Sequence, residues 1–338
     1  MVPSLILRCC FVAATLTLSA FIVSPPIQVP SPVPLGRLID LGGYKLHLNC
    51  TGSGSPTVLL SSGGGSFSTD WALVQPEVAK FTRVCSYDRS GAAWSDLGPK
   101  PRTMYQEAFD LQRLLIGGGE HGPFVLVGQS LGGMVMRLFA MQHRRETAGI
   151  VFVDAYSEDA QLGINGKLTR ARLTAKNRSI PPPRTTIEPS DELTPSELQH
   201  IQALIQQNGG TPKIYPPFDK LPPYAQGIRI WALTQPKYYA QDDDYLGEVS
   251  AKMYSETRTT KHPLGSIPLT VLARTKYEYP PDVADMLTRE HKEQQAKLSQ
   301  LSTKGSEVIV PNAGHDIEVD APESVIAAIR NFVFRARR

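Results

Sequence analysis

One serine in the chain follows an apolar run and lies between two glycines, in the pattern Gly128-Gln129-Ser130-Leu131-Gly132. The residues before it, "PFVLVGQS", are typical of a buried strand, and "LGGMVMRLFAMQHRRE" after it has apolar side chains at helical spacing. A strand-to-helix turn this sharp needs its glycines, because side chains beside the serine would clash. The turn exposes the hydroxyl near a helix N-terminus, which favours developing negative charge. The pattern therefore predicts that Ser130 is a nucleophile.

A serine hydroxyl needs a base to become a nucleophile, and histidine is the side chain that most often supplies it. His315 lies in "VIVPNAGHDIEVDAPE", directly after the last predicted strand. Parallel strands end at one edge of their sheet, so this position places His315 at the same edge as Ser130. His315 is therefore the predicted base. We expect surface or structural roles for the other histidines, which are His47, His121, His143, His200, His262 and His291.

Predicted strands and helices alternate along the chain on both sides of Ser130. Strand-like runs such as "TVLLSSGGG", "RVCSYDRSG", "AGIVFVDA" and "IPLTVLAR" are separated by helical runs. This alternation predicts an α/β fold, a mostly parallel sheet with helices on both faces, built from residues 37–156 and 262–338. Residues 157–261 interrupt it with polar helices and proline-broken loops that lack strand periodicity. We interpret this insertion as a helical lid over the active site.

Three segments resemble motifs of the α/β-hydrolase superfamily, and the likeness covers about residues 37–156 and 262–335. They are "GQSLGG", "GHDIEVDAPE" and "DRSGAAWSD", the last with Ala93 where the family has a glycine. The resemblance implies an eight-stranded, mostly parallel sheet of the α/β-hydrolase fold. It also implies a nucleophile elbow at Ser130 and a histidine loop at His315.

The same resemblance implies an oxyanion hole made of backbone N–H groups. One is the N–H of Leu131, the residue after the nucleophile. Another comes from the glycine loop "SSGGGSF" after the third strand, at Gly63 or alternatively at Gly64, because glycines let the backbone approach a substrate oxygen. Ser61 and Ser62 stand where family members commonly have His-Gly or Glu-Ala.

The acid that would orient the histidine has two candidates. In most relatives it follows the strand "IPLTVLAR" as an Asp in a Gly-x-x-Asp turn, whereas this chain has "ARTKYEYPPDVAD", with Glu278 about one place out of register. Haloalkane dehalogenases place the acid at the end of the preceding strand, where "IVFVDAYSED" has Asp154. Register and side-chain length favour Asp154, and Glu278 is the alternative.

Four cysteines are present, and only Cys50 and Cys85 lie outside the N-terminal segment. An even pair is consistent with an oxidising compartment, although two unrelated buried thiols would give the same count. The family's sheet order, in which the second strand lies beside the fourth, implies that Cys50 and Cys85 lie on neighbouring strands. The resemblance therefore implies a disulfide between them.

Residues 1–23 are typical of a targeting segment, with one Arg, no acidic residue and an apolar run of about 15 residues. A proline-rich linker follows at residues 24–36. We expect an exported protein, secreted or periplasmic, or one tethered to a membrane through residues 1–23. Whether the segment is a cleaved signal peptide or a retained anchor stays open.

The composition excludes some classes of partner. The 35 basic and 32 acidic residues give a net charge of +3, without a long basic run, which argues against nucleic acid. No His-x-x-x-His or paired Cys-x-x-Cys spacing suggests a metal, and we expect no cofactor.

Together these features predict a serine hydrolase that cleaves carboxylic esters through an acyl-enzyme intermediate, with a small-molecule ester or acyl substrate. Thioester and amide substrates, and the oligomeric state, stay open. The alternative is a catalytically weak binding or receptor-like protein of the same fold. The irregular acid region and Ser61-Ser62 before the glycines are what such a loss of activity would produce.

Overall fold

The computed structural model describes residues 31–164, 167–207, 212–241 and 245–338. The predicted targeting segment 1–23 and most of the linker 24–36 lie outside these residues. Among the residues described, no helix has both the length and the apolar character needed to cross a bilayer.

A single eight-stranded sheet organises the fold, in the order β1-β2-β4-β3-β5-β6-β9-β10. The first strand pairs antiparallel with the second, the second pairs antiparallel with the fourth, and the remaining pairs are parallel. The predicted mostly parallel α/β fold is thereby confirmed. The sheet strands are β1 (Arg37–Asp40), β2 (Lys45–Thr51), β3 (Thr57–Ser61), β4 (Val84–Tyr87), β5 (Phe124–Gln129), β6 (Thr147–Val153), β9 (Leu269–Ala273) and β10 (Gly305–Ile309).

Helices cover both faces of the sheet because the central strands are apolar on both sides. In β3, Leu59 belongs to the apolar cluster that includes Leu111 of α2, whereas Val58 and Leu60 belong to the cluster that includes Ile329 of α9. The helices are α1 (Gln75–Val78), α2 (Met104–Gly118), α3 (Leu131–Gln142), α4 (Pro195–Gln207), α5 (Pro223–Leu233), α6 (Leu246–Thr259), α7 (Ala284–Ser299), α8 (Ile317–Asp320) and α9 (Pro322–Ala336).

The insertion between β6 and β9 contains helices α4, α5 and α6, and it also contains a hairpin that the sequence pattern did not predict. Strands β7 (Gln161–Ile164) and β8 (Lys167–Arg170) pair antiparallel as a separate two-stranded sheet. The expectation of an insertion without strands was therefore wrong. The two strands are only four residues each, too short for an alternating pattern to stand out.

Two helices of the insertion pack on the core beside the end of β5. Trp231 of α5 lies in an apolar cluster with Phe67 and Trp94 of the core loops. Met253 of α6 lies in a cluster with Met134 of α3, the helix that follows Ser130. The insertion therefore contacts the part of the core that carries the predicted nucleophile.

Cys50 and Cys85 are paired residues of β2 and β4, and a disulfide joins them. The pairing follows from the antiparallel register of the two strands, which brings their Cα atoms to 4.0 Å. It links the antiparallel end of the sheet to the parallel part.

Candidate active site

Ser130 occupies a sharp turn between β5 and α3. Its backbone has φ 49° and ψ −122°, a left-handed conformation that is strained for a residue with a side chain. The Ser130 amide donates to the carbonyl of Val153 at 3.1 Å, and the Ser130 carbonyl accepts from the amide of Tyr156 at 2.9 Å. These bonds to β6 and the residues after it hold the turn in the strained conformation.

The flanking glycines are required by close backbone contacts at this turn. A Cβ on Gly128 would lie 2.5 Å from the carbonyl oxygen of Gly132, and a Cβ on Gly132 would overlap the carbonyl oxygen of Ser61. A larger residue at Gly128 would push the strand away from the start of α3, and one at Gly132 would push the turn away from the end of β3. The Gly-x-Ser-x-Gly spacing is thus explained by packing at the end of β5.

The glycine loop after β3 passes directly beside Ser130. A Cβ on Gly63 would lie 3.0 Å from the Ser130 Cβ, and one on Gly64 would lie 3.6 Å from a methyl carbon of Leu131. The N–H groups of this loop and of Leu131 are the predicted donors to a substrate oxygen. An oxyanion hole requires its donors to lie next to the nucleophile, and the glycine loop lies next to Ser130.

Arg89, in the turn after β4, holds the carbonyl groups of this glycine loop. Its guanidinium donates to the carbonyl oxygens of Ser62 and Gly63, at 2.6 Å for Gly63. In a trans peptide the N–H of the next residue points opposite to the C=O. Arg89 therefore turns the N–H groups of Gly63 and Gly64 away from itself, which fixes the orientation of both candidate oxyanion donors.

His315 lies in the loop after β10, and its side chain is 41 % exposed. Its Nδ1 atom lies 2.6 Å from Oδ2 of Asp154. The His315 carbonyl accepts a hydrogen bond from Nε2 of Gln129, the residue before Ser130, at 3.3 Å. This contact ties the histidine loop to the serine turn, so the structure brings the predicted base to the end of β5.

Asp154 follows β6 as Ser130 follows β5, and it too has a positive φ, of 43°. Its amide donates to the carbonyl of Leu272 in β9 at 2.8 Å. The side chain is fully buried, and Arg274 Nε lies 3.5 Å from its Oδ2 atom. Two neighbouring parallel strands therefore end in strained residues that carry the predicted nucleophile and one of the predicted acids.

Hydrogen bonds determine the protonation state of Asp154. Burial by itself raises the pKa of this carboxyl, but the hydrogen bonds from His291 and His315, with the charge of Arg274, hold it well below its usual range. An ionised carboxylate only accepts hydrogen bonds, so Nδ1 of His315 carries the proton. In a neutral imidazole with this tautomer, Nε2 has the lone pair that a general base needs.

Glu278, the alternative acid, is not brought to His315. It is exposed in the loop between β9 and α7. Among the described residues, Asp154 is the carboxylate that hydrogen-bonds to the His315 ring. The end of β6 rather than the loop after β9 faces the histidine.

His291 has a contact with Asp154 that no sequence pattern indicated. Its Nε2 atom lies 2.8 Å from Oδ1 of Asp154, whereas we expected a surface or structural histidine on a polar helix without a contact to the predicted site. The helix α7 buries a face that carries His291, Gln294, Gln295 and Leu298. The i, i+3, i+4, i+7 spacing of these residues was the available signal, but three of the four are polar, so an apolar pattern did not reveal it.

A second group of buried acids lies near His315, around Glu318 of α8. Burial, together with the neighbouring charge of Asp316, raises the pKa of Glu318 well above its ordinary value, and its Oε2 atom has no hydrogen-bond partner. Burial also raises the pKa of Asp316 and that of Asp70. Arg229 of α5 donates to Asp70 at 2.6 Å and offsets part of the rise in the pKa of that carboxyl.

One group of residues in the described part of the chain has the ligand types and spacing of a metal site, and it consists of Cys50, Cys85 and Glu120. The two sulfur atoms are joined to each other, so neither is a thiolate that could bind a metal. Glu120 is in turn paired with Arg83 at 2.6 Å. This group therefore does not fit a metal ion.

A profile of the alpha/beta hydrolase family matches residues 58–328. Among solved structures, a thermophilic esterase from Thermogutta terrifontis is 23 % identical, with a TM-score of 0.55, and the alignment covers 86 % of this chain and 94 % of that one. At this level of identity, the likeness to the esterase concerns the fold.

Curated relatives match over shorter stretches. "Probable transporter efuK" of Hormonema carpetanum is 36 % identical over 129 residues, which are 36 % of this chain and 18 % of that protein. "Uncharacterized vacuolar membrane protein YNL115C" of Saccharomyces cerevisiae is 29 % identical over 157 residues, 40 % of this chain and 24 % of that protein. The matched region thus spans a quarter or less of the length of these two proteins.

Proposed function

The chain belongs to the alpha/beta hydrolase family, and from this premise we propose that it is a serine hydrolase that cleaves carboxylic esters through an acyl-enzyme intermediate. The observation that carries the proposal is the 2.6 Å contact between His315 Nδ1 and Asp154 Oδ2, at the sheet edge where Ser130 lies. It supports an arrangement in which the proposed nucleophile, base and orienting acid lie at one edge of the sheet.

In the first half of the reaction, the Ser130 hydroxyl attacks the ester carbonyl carbon while Nε2 of His315 accepts the hydroxyl proton. The carbonyl oxygen becomes an oxyanion, which the N–H groups of Leu131 and Gly63, or Gly64, stabilise. Asp154 stabilises the imidazolium through the Nδ1 hydrogen bond. The intermediate then collapses, the leaving alkoxide takes the proton from His315, and the acyl group stays on Ser130.

In the second half, His315 removes a proton from a water molecule that attacks the acyl-enzyme carbonyl. A second oxyanion forms at the same N–H groups and collapses, which returns the proton from His315 to Ser130 and releases the acid. The role of Arg89 is to keep the glycine loop in place through both steps, since it bonds to two of the loop's carbonyl groups. Preorganised donors of this kind are a large contribution to catalysis.

We propose that the insertion, residues 157–261, acts as the lid that selects the substrate. Tyr238 supports this role because its hydroxyl lies within 3.5 Å of the Gly65 carbonyl, in the loop beside Ser130. Arg229 of α5 connects the insertion to Asp70 of the core. Tyr238 of the insertion thereby lies against the loop next to the nucleophile.

The first experiment is labelling with a fluorophosphonate probe, followed by hydrolysis of p-nitrophenyl esters of increasing acyl length. Wild type and Ser130→Ala are compared, with Ser196→Ala, at an exposed serine of α4, as the matched control. We expect labelling and turnover in wild type and in Ser196→Ala, and neither in Ser130→Ala. The acyl-length profile then indicates the size of the acyl pocket.

Folded wild-type protein that neither reacts with the probe nor hydrolyses esters, thioesters or amides would overturn the proposal. That result would favour the receptor-like alternative, in which the fold is kept and turnover is lost. Turnover of thioesters or amides without ester hydrolysis would retain the serine mechanism and change the substrate class.

We further propose that the folded domain works in an oxidising compartment or on a membrane facing one. The disulfide between Cys50 and Cys85 supports this proposal, since such bonds are rare in reducing compartments. Fractionation of cells that express the full chain, with thiol labelling before and after reduction, tests it. Free thiols at Cys50 and Cys85 in protein taken directly from cells would contradict it.

A further inference from the structure

Asp154 has more hydrogen-bond donors than the orientation of one histidine requires. Oδ2 contacts His315 Nδ1 at 2.6 Å, and Oδ1 contacts His291 Nε2 at 2.8 Å. The backbone N–H of Arg274 also reaches Oδ1, at 3.3 Å, and the Arg274 side chain forms an ion pair with Oδ2 without a hydrogen bond. Two imidazole rings therefore share one buried carboxylate, each on its own oxygen.

The protonation of His291 follows from this contact. Because Asp154 is ionised, both of its oxygens accept hydrogen bonds, and Nε2 of His291 must carry the proton that is donated. Of the two donors to Oδ1, His291 is the shorter, at 2.8 Å against 3.3 Å for Arg274. His291 is thus the main donor to the oxygen that does not face His315.

The position of His291 is itself held by neighbouring contacts. Gln294 and Gln295, on the same buried face of α7, donate to the carbonyls of Asp159 and Ala155 at 2.9 and 2.8 Å. Tyr277, in the loop after β9, meets the His291 ring edge to face, with ring centres 5.5 Å apart. The helix is therefore fastened to the chain segment that follows Asp154, and the ring has little freedom to turn.

We propose that His291 is a positioning residue of this active site, which holds the Asp154 carboxylate so that Oδ2 stays directed at Nδ1 of His315. This inference rests on the proposed serine hydrolase function. Without His291, the carboxylate keeps only the weaker Arg274 donor on Oδ1 and can rotate about its Cβ–Cγ bond. The imidazole of His315 then loses its fixed orientation toward Ser130.

The test compares two substitutions at His291 that differ in their hydrogen bonding. His291→Leu removes the donor and leaves an apolar side chain of similar size, whereas His291→Gln keeps an N–H donor. His121→Leu, at an exposed histidine before β5, is the matched control for the substitution itself. Thermal unfolding of each variant separates loss of folding from loss of function.

We expect kcat of His291→Leu to fall about tenfold to a hundredfold with KM nearly unchanged, because misplacement of a reacting group costs rate rather than binding. His291→Gln recovers most of this loss, and His121→Leu matches wild type. A purely structural role would instead lower kcat of His291→Leu and His291→Gln in proportion to their loss of stability, and this outcome would overturn the proposal.

A second readout does not depend on turnover. The proton between His315 Nδ1 and Asp154 gives a downfield ¹H NMR resonance, which is assigned by its absence in His315→Gln. We expect this resonance to shift or broaden in His291→Leu and to stay near its wild-type position in His291→Gln. An unchanged resonance in folded His291→Leu would overturn the proposal. If wild type is inert toward every substrate and probe, the hydrolase function fails, and this resonance still decides the role of His291.

Discussion

Two groups of buried carboxylates lie near His315, and they differ in what surrounds them. Asp154, at the end of β6, accepts hydrogen bonds from His315, His291 and the Arg274 backbone. Glu318, in α8, is equally buried, but its Oε2 atom has no partner and its neighbour Asp316 carries the same sign of charge. The pKa of Asp154 is lowered, whereas the pKa of Glu318 is raised.

The difference shows that burial alone does not determine the charge of a carboxyl group. Desolvation is the largest single contribution at both positions, and it raises the pKa in each case. At Asp154, hydrogen-bond donors and cations outweigh burial and lower the pKa. At Glu318, a neighbouring carboxylate adds to burial and raises the pKa further. Asp154 is therefore ionised and directed at a histidine, as an orienting acid must be.

The largest expected effect comes from removing the charge of Asp154. Asp154→Asn places an amide against His315 and favours the wrong imidazole tautomer, so we expect kcat to fall by about 10⁴-fold. Steady-state ester hydrolysis measures it, with Glu278→Gln as the matched control at the exposed alternative acid. Glu278→Gln should stay within about twofold of wild type. If Glu278→Gln loses activity and Asp154→Asn does not, Glu278 rather than Asp154 is the orienting acid.

The next effect concerns Asp70 and its partner Arg229. Arg229→Met removes the guanidinium that lies over the Phe218 ring and leaves Asp70 buried without its cation, which should lower the free energy of unfolding by about 3–5 kcal/mol near neutral pH. Because the pKa of Asp70 is already raised and rises further without Arg229, the loss should shrink as pH falls toward 4 and Asp70 becomes protonated.

Denaturant unfolding at pH 7.5 and at pH 4.5 measures the effect of Arg229→Met. The double variant Asp70→Asn with Arg229→Met is the control, and it should regain part of the lost stability because no charge is then buried. Equal stability of Arg229→Met and wild type at pH 7.5 would show that Asp70 is already neutral there. Asp70 would then resemble Glu318, whose pKa is raised, rather than Asp154, whose pKa is lowered.

The smallest expected effect is on the pH dependence of stability through Glu318. Its raised pKa means that the folded state binds the proton more tightly than the unfolded state, so wild type loses stability as pH rises above 4.5, the ordinary value for Glu. Glu318→Gln has no proton to lose, and we expect it to gain at least about 1 kcal/mol over wild type between pH 4.5 and pH 8.

The measurement is the melting temperature of wild type and Glu318→Gln across that pH range, with Glu293→Gln at an exposed position of α7 as control. Parallel pH curves for wild type and Glu318→Gln would mean that Glu318 titrates as an ordinary carboxyl. The stability contributed by Asp154 depends on pH in the opposite direction. Its pKa is lowered, so this contribution disappears as pH falls.

Part of the candidate site could be predicted from short stretches of sequence. The turn at Ser130 follows from an apolar strand, two glycines and a helix within about twenty residues, and His315 follows from the end of the last strand. The glycine loop was located in the same way. The hydrogen bonds from Arg89 to that loop could not be predicted, because its partners Ser62 and Gly63 lie in a different connection between strand and helix.

The sequence by itself determined the α/β fold, the nucleophile turn and the histidine loop, because each depends on side-chain periodicity and glycines within one segment. The tertiary structure alone decided which acid meets the histidine and that a second histidine meets the acid. Asp154 is 161 residues from His315 and 137 residues from His291. The register of β6, β9 and β10 and the docking of α7 bring them together, and no local pattern encodes those distances.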